Sequence, residues 1–111
     1  MYKATVVYGI PRDPAAFDRH YREVHIPLAR RIPGIAHWTI TRCEADGAGR
    51  PPGAYLTAEL YAETRADLLA AFASPEGLAA SRDVEHFADG GVQFLFGAEE
   101  VVTTTPGFGR S

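Results

Sequence analysis

An α+β domain with a four-stranded antiparallel sheet and helices on one face is the fold class the sequence predicts, on three observations. Four short segments alternate with period two and are rich in Val, Thr and aromatic residues. The segments between them carry helical periodicity and open on capping residues. Their order is β-α-β-β-α-α-β, the split βαβ plan of a ferredoxin-like domain. A chain of 111 residues has room for one such core and not for two.

Residues 2–10 form the first strand. Pro11-Arg12-Asp13-Pro14 then punctuates, with Asp13 as N-cap and Pro14 at the first helical position. The helix that follows is expected to bury Phe17, Tyr21, Val24 and Leu28, spaced at fours and threes. Pro27 removes a helical hydrogen bond and disfavours helical geometry at Ile26, which predicts a kink or restart there. Pro33-Gly34 ends the element.

Residues 35–43 form the second strand, with Trp38 and Ile40 on one face and His37, Thr39 and Thr41 on the other. Asp46 to Gly53 is a Gly/Pro-rich loop. Residues 54–62 form the third strand, with Leu56, Ala58 and Leu60 opposite Tyr55, Thr57, Glu59 and Tyr61. Thr64-Arg65-Ala66-Asp67 opens a helix carrying Leu68, Leu69 and Phe72, and Ser74-Pro75-Glu76 opens another that runs to about Phe87. Asp89-Gly90-Gly91 turns the chain into a last strand, residues 92–96. The domain is expected to span 1–102, with 103–111 as a loose tail.

Helices on one face leave the other face of the sheet uncovered. Tyr8, Trp38, Tyr55, Tyr61, Phe94 and Phe96 put large side chains on both faces, so an exposed aromatic patch and a homodimer that covers it are expected.

The composition is that of a soluble globular chain: 46% hydrophobic, 23% charged, net charge −3. No Lys/Arg run exceeds two residues, which argues against a nucleic-acid or anionic-membrane partner. No apolar run reaches membrane-span length and no secretory signal pattern opens the chain, so a cytoplasmic location is expected. Cys43 is the single cysteine, which excludes an intrachain disulfide and Cys-based metal sites; it is expected to be a packed strand cysteine.

Chemistry concentrates in residues 17–28, which place two histidines and a tyrosine beside the predicted apolar stripe. His25 follows Tyr21 by four residues, so the two side chains can touch. His25 is either a general acid or base lining a pocket, with Tyr21 positioning a substrate oxygen, or a helix-end cap that bonds a carbonyl. His20 lies on the other edge of the stripe, and the two histidines are not an i, i+4 metal pair. His37 lines a cavity if its strand face does, and otherwise belongs to a polar face. Asp83 shares a helical face with Phe87 and either orients a histidine or bonds a loop. No nucleotide loop, nucleophile elbow, or flavin, nicotinamide or metal motif is present, so no cofactor is expected.

The pattern Phe17-x-x-His20-Tyr21-x-x-x-His25-x-Pro27-Leu28 resembles that of the EthD family of the dimeric α+β barrel superfamily. Pro33-Gly34, the run Tyr55–Tyr61, Ala73-Ser74-Pro75-Glu76-Gly77, Asp83 and Phe87-Ala88-Asp89-Gly90-Gly91 continue it. The resemblance implies a ferredoxin-like fold whose sheets pair into a barrel across a dimer, with a small-molecule cavity between each sheet and its helices. It selects His20, Tyr21, His25, Asp83 and Phe87; His37 and Trp38 are added by the strand pattern alone. The family takes its name from a gene cluster for ethyl tert-butyl ether degradation. Related barrels include cofactor-free monooxygenases, polyketide cyclases, isomerases, dehydratases and haem-binding enzymes, so the fold does not decide the chemistry.

The leading expectation is a homodimeric, cofactor-independent enzyme acting on a small, largely apolar oxygenated substrate, in ether degradation or aromatic polyketide metabolism. His25 moves a proton, Tyr21 donates to a developing oxyanion, Asp83 orients a polar group, and His20, Trp38, His37 and Phe87 bind substrate. Proton-transfer chemistry (cyclisation, dehydration or isomerisation) leads, with cofactor-free oxygenation beside it. A non-catalytic ligand-binding or accessory protein and a haem-binding barrel are the alternatives.

Overall fold

The computed structural model describes residues 1–107. Its central strand, β1 (Tyr2–Tyr8), pairs antiparallel with both β3 (Leu56–Ala62) and β4 (Val92–Ala98); β2 (His37–Arg42) closes the other edge in the order β2-β3-β1-β4. The helical elements are α1 (Pro14–His20), a π turn (Tyr21–His25), α2 (Ile26–Ala29), α3 (Arg65–Ala73) and α4 (Pro75–Val84). This is the predicted β-α-β-β-α-α-β plan. The tail expected over 103–111 is without regular strand or helix as far as Gly107, and residues 108–111 lie outside the described residues.

Ladder partners share a face, so the register sorts the side chains. Val6 stands opposite Ala58 and Phe94, and Trp38 opposite Leu60, which puts Tyr8, Trp38, Phe94 and Phe96 on the helix side. The expected aromatic patch on the uncovered face is therefore absent. That face carries Lys3, Thr5, Thr39, Thr57, Glu59 and Tyr61, with Val7 and Leu95 among them. Tyr61 spends its hydroxyl on Glu59 and Glu99, and Tyr55 curls round the sheet end to pack on Phe17 and donate to Asp18. The exposed aromatics lie instead along edge strand β4, where Phe94 is 37% and Phe96 43% exposed on the helix side.

The first helix departs from its predicted stripe. Phe17, Tyr21, His25 and Ala29 are buried, whereas Val24 is 40% exposed and Leu28 only half-buried. In an α-helix each step of four residues turns about 40° past the starting face. The π turn, closed by a bond from the Ile26 N–H to the Tyr21 carbonyl, cancels much of that drift and keeps residues four apart on one face. Pro27 supplies the local cause: it cannot donate to the carbonyl four residues back, and its ring crowds that carbonyl. The expected kink or restart takes the form of a widened turn with right-handed backbone throughout, after which α2 begins at Ile26.

The other ends follow local chemistry. Asp13 caps α1 by accepting from Ala16 N–H at 3.1 Å, Thr64 caps α3, and Ser74 caps α4. Tyr8, Phe17, Tyr21 and Phe87 form an aromatic cluster with ring centroids 5.1–5.8 Å apart, joining β1, α1 and the end of α4. This cluster fixes the π turn over the sheet and so positions the residues described next.

Candidate functional site

The π turn and α4 bring His20, His25 and Asp83 into one hydrogen-bonded group. His20 Nε2 lies 2.9 Å from Asp83 Oδ1 and 3.1 Å from Oδ2, and His25 Nδ1 lies 3.1 Å from Oδ2. Asp83 and His25 are buried, while the His20 side chain is 28% exposed. Among the described residues the two histidines are the only basic groups paired with Asp83. His25 therefore bonds a carboxylate rather than a helix-end carbonyl, and Asp83 orients two histidines rather than one. Neither is the neighbouring His86, which is exposed.

His25 lines a narrow cavity between helices and sheet together with Tyr8, Tyr21, Trp38, Phe72 and Phe94. The cavity holds about 30 Å³, room for one or two waters, and opens to about 400 Å³ of empty space when its mouth is counted. Its walls are otherwise mainly aliphatic, including Val6, Ile32, Leu60 and Val84, with Ser81 among them. Among the described residues no set of three His, Cys, Asp or Glu side chains is placed to hold a metal ion.

Two buried polar atoms of the lining residues have no hydrogen-bond partner among the described residues: Tyr21 Oη and Trp38 Nε1. A buried donor left unpaired costs about 1–3 kcal/mol, so such pairs mark a place where something else accepts. Burial pushes the Tyr21 hydroxyl far above its ordinary range, which keeps it protonated and a donor. Burial likewise raises Tyr8, helped by the negative ends of Tyr21 and Asp83.

Burial lowers His25, opposed by the hydrogen bond and charge of Asp83. The folded state thus binds this proton less readily than the unfolded chain does, and acid favours unfolding. Its share of the stability is present above about pH 6.5, the ordinary histidine value, and is lost as pH falls below it. Urea unfolding at about pH 7 and about pH 5 is expected to show that loss, and His25→Gln to reduce it.

The remaining predicted residues separate. Trp38 lines the cavity, but His37 does not: it sits exposed on the polar sheet face against Tyr61 at 5.4 Å. The strand's alternation puts it there, one residue out of phase with Trp38. Phe87 is buried between the histidines, 5.1 Å from His20 and 4.9 Å from His25 between ring centroids. His20 and Phe87 line a separate surface groove, with Asp13, Glu85, His86 and Asp89, and not the cavity. Cys43 is half-buried after β2. Tyr8, a cavity residue, was not singled out as one by sequence reasoning; its place as the last inward position of β1 was the available signal.

Known proteins share this arrangement of chain. Residues 11–91 match the family model of the EthD domain. The chain is 49% identical over 102 residues, 92% of its length and 98% of the other's, to an uncharacterized 11.0 kDa protein of the thcB-thcC intergenic region of Rhodococcus erythropolis. It superposes on the crystal structure of an ethyl tert-butyl ether d (EthD) family protein from Bacillus halodurans with TM-score 0.85 and 34% identity, covering 90% of this chain and 99% of that one. SnoaB of Streptomyces nogalater, a cofactor-independent oxygenase, shares the fold at TM-score 0.65 and 15% identity, covering 95% and 96%. Ferredoxin-like in fold and matched over most of its length, the chain belongs to the EthD family.

Proposed function

We propose that this protein is a cofactor-independent acid–base catalyst acting on a small, largely apolar molecule that carries an oxygen acceptor. One observation carries the reading: a mainly apolar cavity whose polar lining includes a carboxylate-held imidazole and two donors without partners among the described residues. Nδ1 of His25 is engaged by Asp83, which leaves Nε2 as the nitrogen free to take a proton. A lowered His25 is neutral near pH 7 and suited to act as a base.

The step begins with a C–H bond next to a carbonyl. The proton passes to His25 Nε2, the electron pair of that bond moves onto the carbonyl oxygen, and Tyr21 or Trp38 donates a hydrogen bond to the enolate so formed. Return of the proton at a different atom gives isomerisation; loss of a neighbouring hydroxide gives dehydration; attack on a second carbonyl gives cyclisation. The cofactor-independent oxygenase SnoaB on the same fold supports a metabolic substrate of this class. Oxygenation of such an enolate is the next step SnoaB's chemistry suggests, with dioxygen as the named oxidant.

The working unit we propose is a homodimer, with the uncovered sheet face of one chain packed on that of another. Its Thr and Tyr side chains and its Val7 and Leu95 suit a mixed interface better than an exposed aromatic one.

Tyr21→Phe tests the assignment without disturbing the ring packing. Removal of an unpaired buried hydroxyl is expected to leave stability within about 0.5 kcal/mol of wild type or to raise it. Turnover is expected to fall by roughly 10²-fold if this hydroxyl serves the oxyanion. A protein destabilised by the change and still fully active would overturn the role.

A further inference from the structure

Asp83 stands between two imidazoles that line different openings. His25 lines the interior cavity and His20 lines the surface groove, with Phe87 packed against both rings. Both rings reach the same oxygen, Oδ2, at 3.1 Å. Two imidazoliums at this one buried carboxylate would leave an uncompensated positive charge; none would leave its negative charge held by neutral N–H donors alone. Either state is costly in a low-dielectric interior. One imidazolium satisfies the group.

The hydrogen bonds allow that charge to change rings. His20 can donate its Nε2–H to Asp83, and His25 its Nδ1–H, whether the ring is charged or neutral. The nitrogens left to titrate are His20 Nδ1 and His25 Nε2, neither of which bonds Asp83. We infer that His20 is a positioning residue that exchanges charge with His25: as His25 Nε2 takes a proton from a molecule in the cavity, His20 releases its Nδ1 proton to water in the groove. Asp83 then faces one imidazolium before and after, and no proton crosses the carboxylate.

The inference rests on the acid–base reading of His25, and the surroundings are those it needs. Asp83 faces both rings from α4, and Tyr8 and Tyr21 lie on the cavity side, both held protonated by burial. The groove round His20 carries Asp13, Glu85, Asp89 and His86, so a released proton meets both water and carboxylates. The surface histidine has thereby a role that its partial exposure alone would not suggest.

Histidine-ring NMR titration of the protein without substrate, from about pH 5 to about pH 8, tests this. His20 and His25 are expected to titrate as a coupled pair, each curve in two steps. His20→Gln keeps an N–H donor toward Asp83 but cannot take the charge. It is expected to turn the His25 curve into one step with its midpoint raised by about one unit or more. Independent one-step curves in the wild type overturn the exchange, and so does a His25 midpoint unmoved by His20→Gln. The wild-type curves decide even if that variant fails to fold. Coupled curves in a protein whose turnover survives His25→Ala keep the exchange and overturn the catalytic reading instead.

Discussion

Alanine at His25 is expected to slow proton transfer between bound ligand and solvent by roughly 10²–10⁴-fold, or about 3–5 kcal/mol of barrier. The expected loss is large because no other group can substitute. Tyr8 and Tyr21 are pushed up by burial and are poor bases, Asp83 is occupied by two imidazoles, and His20 lines the separate groove. His25→Gln is expected to lose a similar factor while keeping a polar group toward Asp83, which separates lost chemistry from lost packing. Deuterium uptake by the ligand in heavy water, measured by mass spectrometry on folded protein, reads both. Uptake by the alanine variant at the wild-type rate would remove His25 from the mechanism.

Gly77→Ala is expected to be among the most damaging single methyls in the fold. Ser74 ends α3 and caps α4 at once: its hydroxyl donates to the Ala71 carbonyl at 2.6 Å and accepts from the Gly77 N–H at 3.0 Å. That shared residue brings the two helices so close that a Cβ at Gly77 would land on the Ala71 carbonyl oxygen and 2.7 Å from that of Phe72. Both obstacles are backbone and cannot rotate away. Relief requires α4 to move, and α4 carries Asp83 and the core residues Ala80 and Val84. A cost of about 3 kcal/mol or more follows, lowering Tm by roughly 10 °C or more. Gly47→Ala, where nothing lies within 4 Å, is the control and is expected to stay within about 0.5 kcal/mol of wild type. Equal thermal shifts for the two variants would show that the α3–α4 contact is looser than described.

Most of the architecture was legible in the sequence because it is written locally. Period-two runs, Asp13, Thr64 and Ser74 as caps, and the Gly/Pro loops each act over a few residues. The inward face of the first helix was not, because the expected stripe assumed an α-helical turn throughout. Pro27 predicts a kink or restart, and the chain answers it with a π turn that exchanges Val24 and Leu28 for His25 and Ala29. The site was legible in part for the same reason. His25 and Tyr21 follow from spacing along one helix, but Asp83 lies 58 residues from His25 and 63 from His20. Their meeting depends on how α4 packs over the π turn, which no local pattern records. The aromatic sheet face was misplaced, and His37 left open between cavity and polar face, for another reason: alternation gives two faces but does not say which one the helices cover.

The central claim is that the cavity holds an oxygen-bearing molecule and moves one of its protons. The most direct measurement is native mass spectrometry of protein purified from its own host, before and after incubation in heavy water. The account predicts an assembly of twice the 12.0 kDa chain mass, an oxygen-containing organic molecule released from it, and a deuterium gained by that molecule at carbon in wild type but not in His25→Ala. A retained molecule that gains no deuterium from the wild-type protein would contradict the account and make this a carrier.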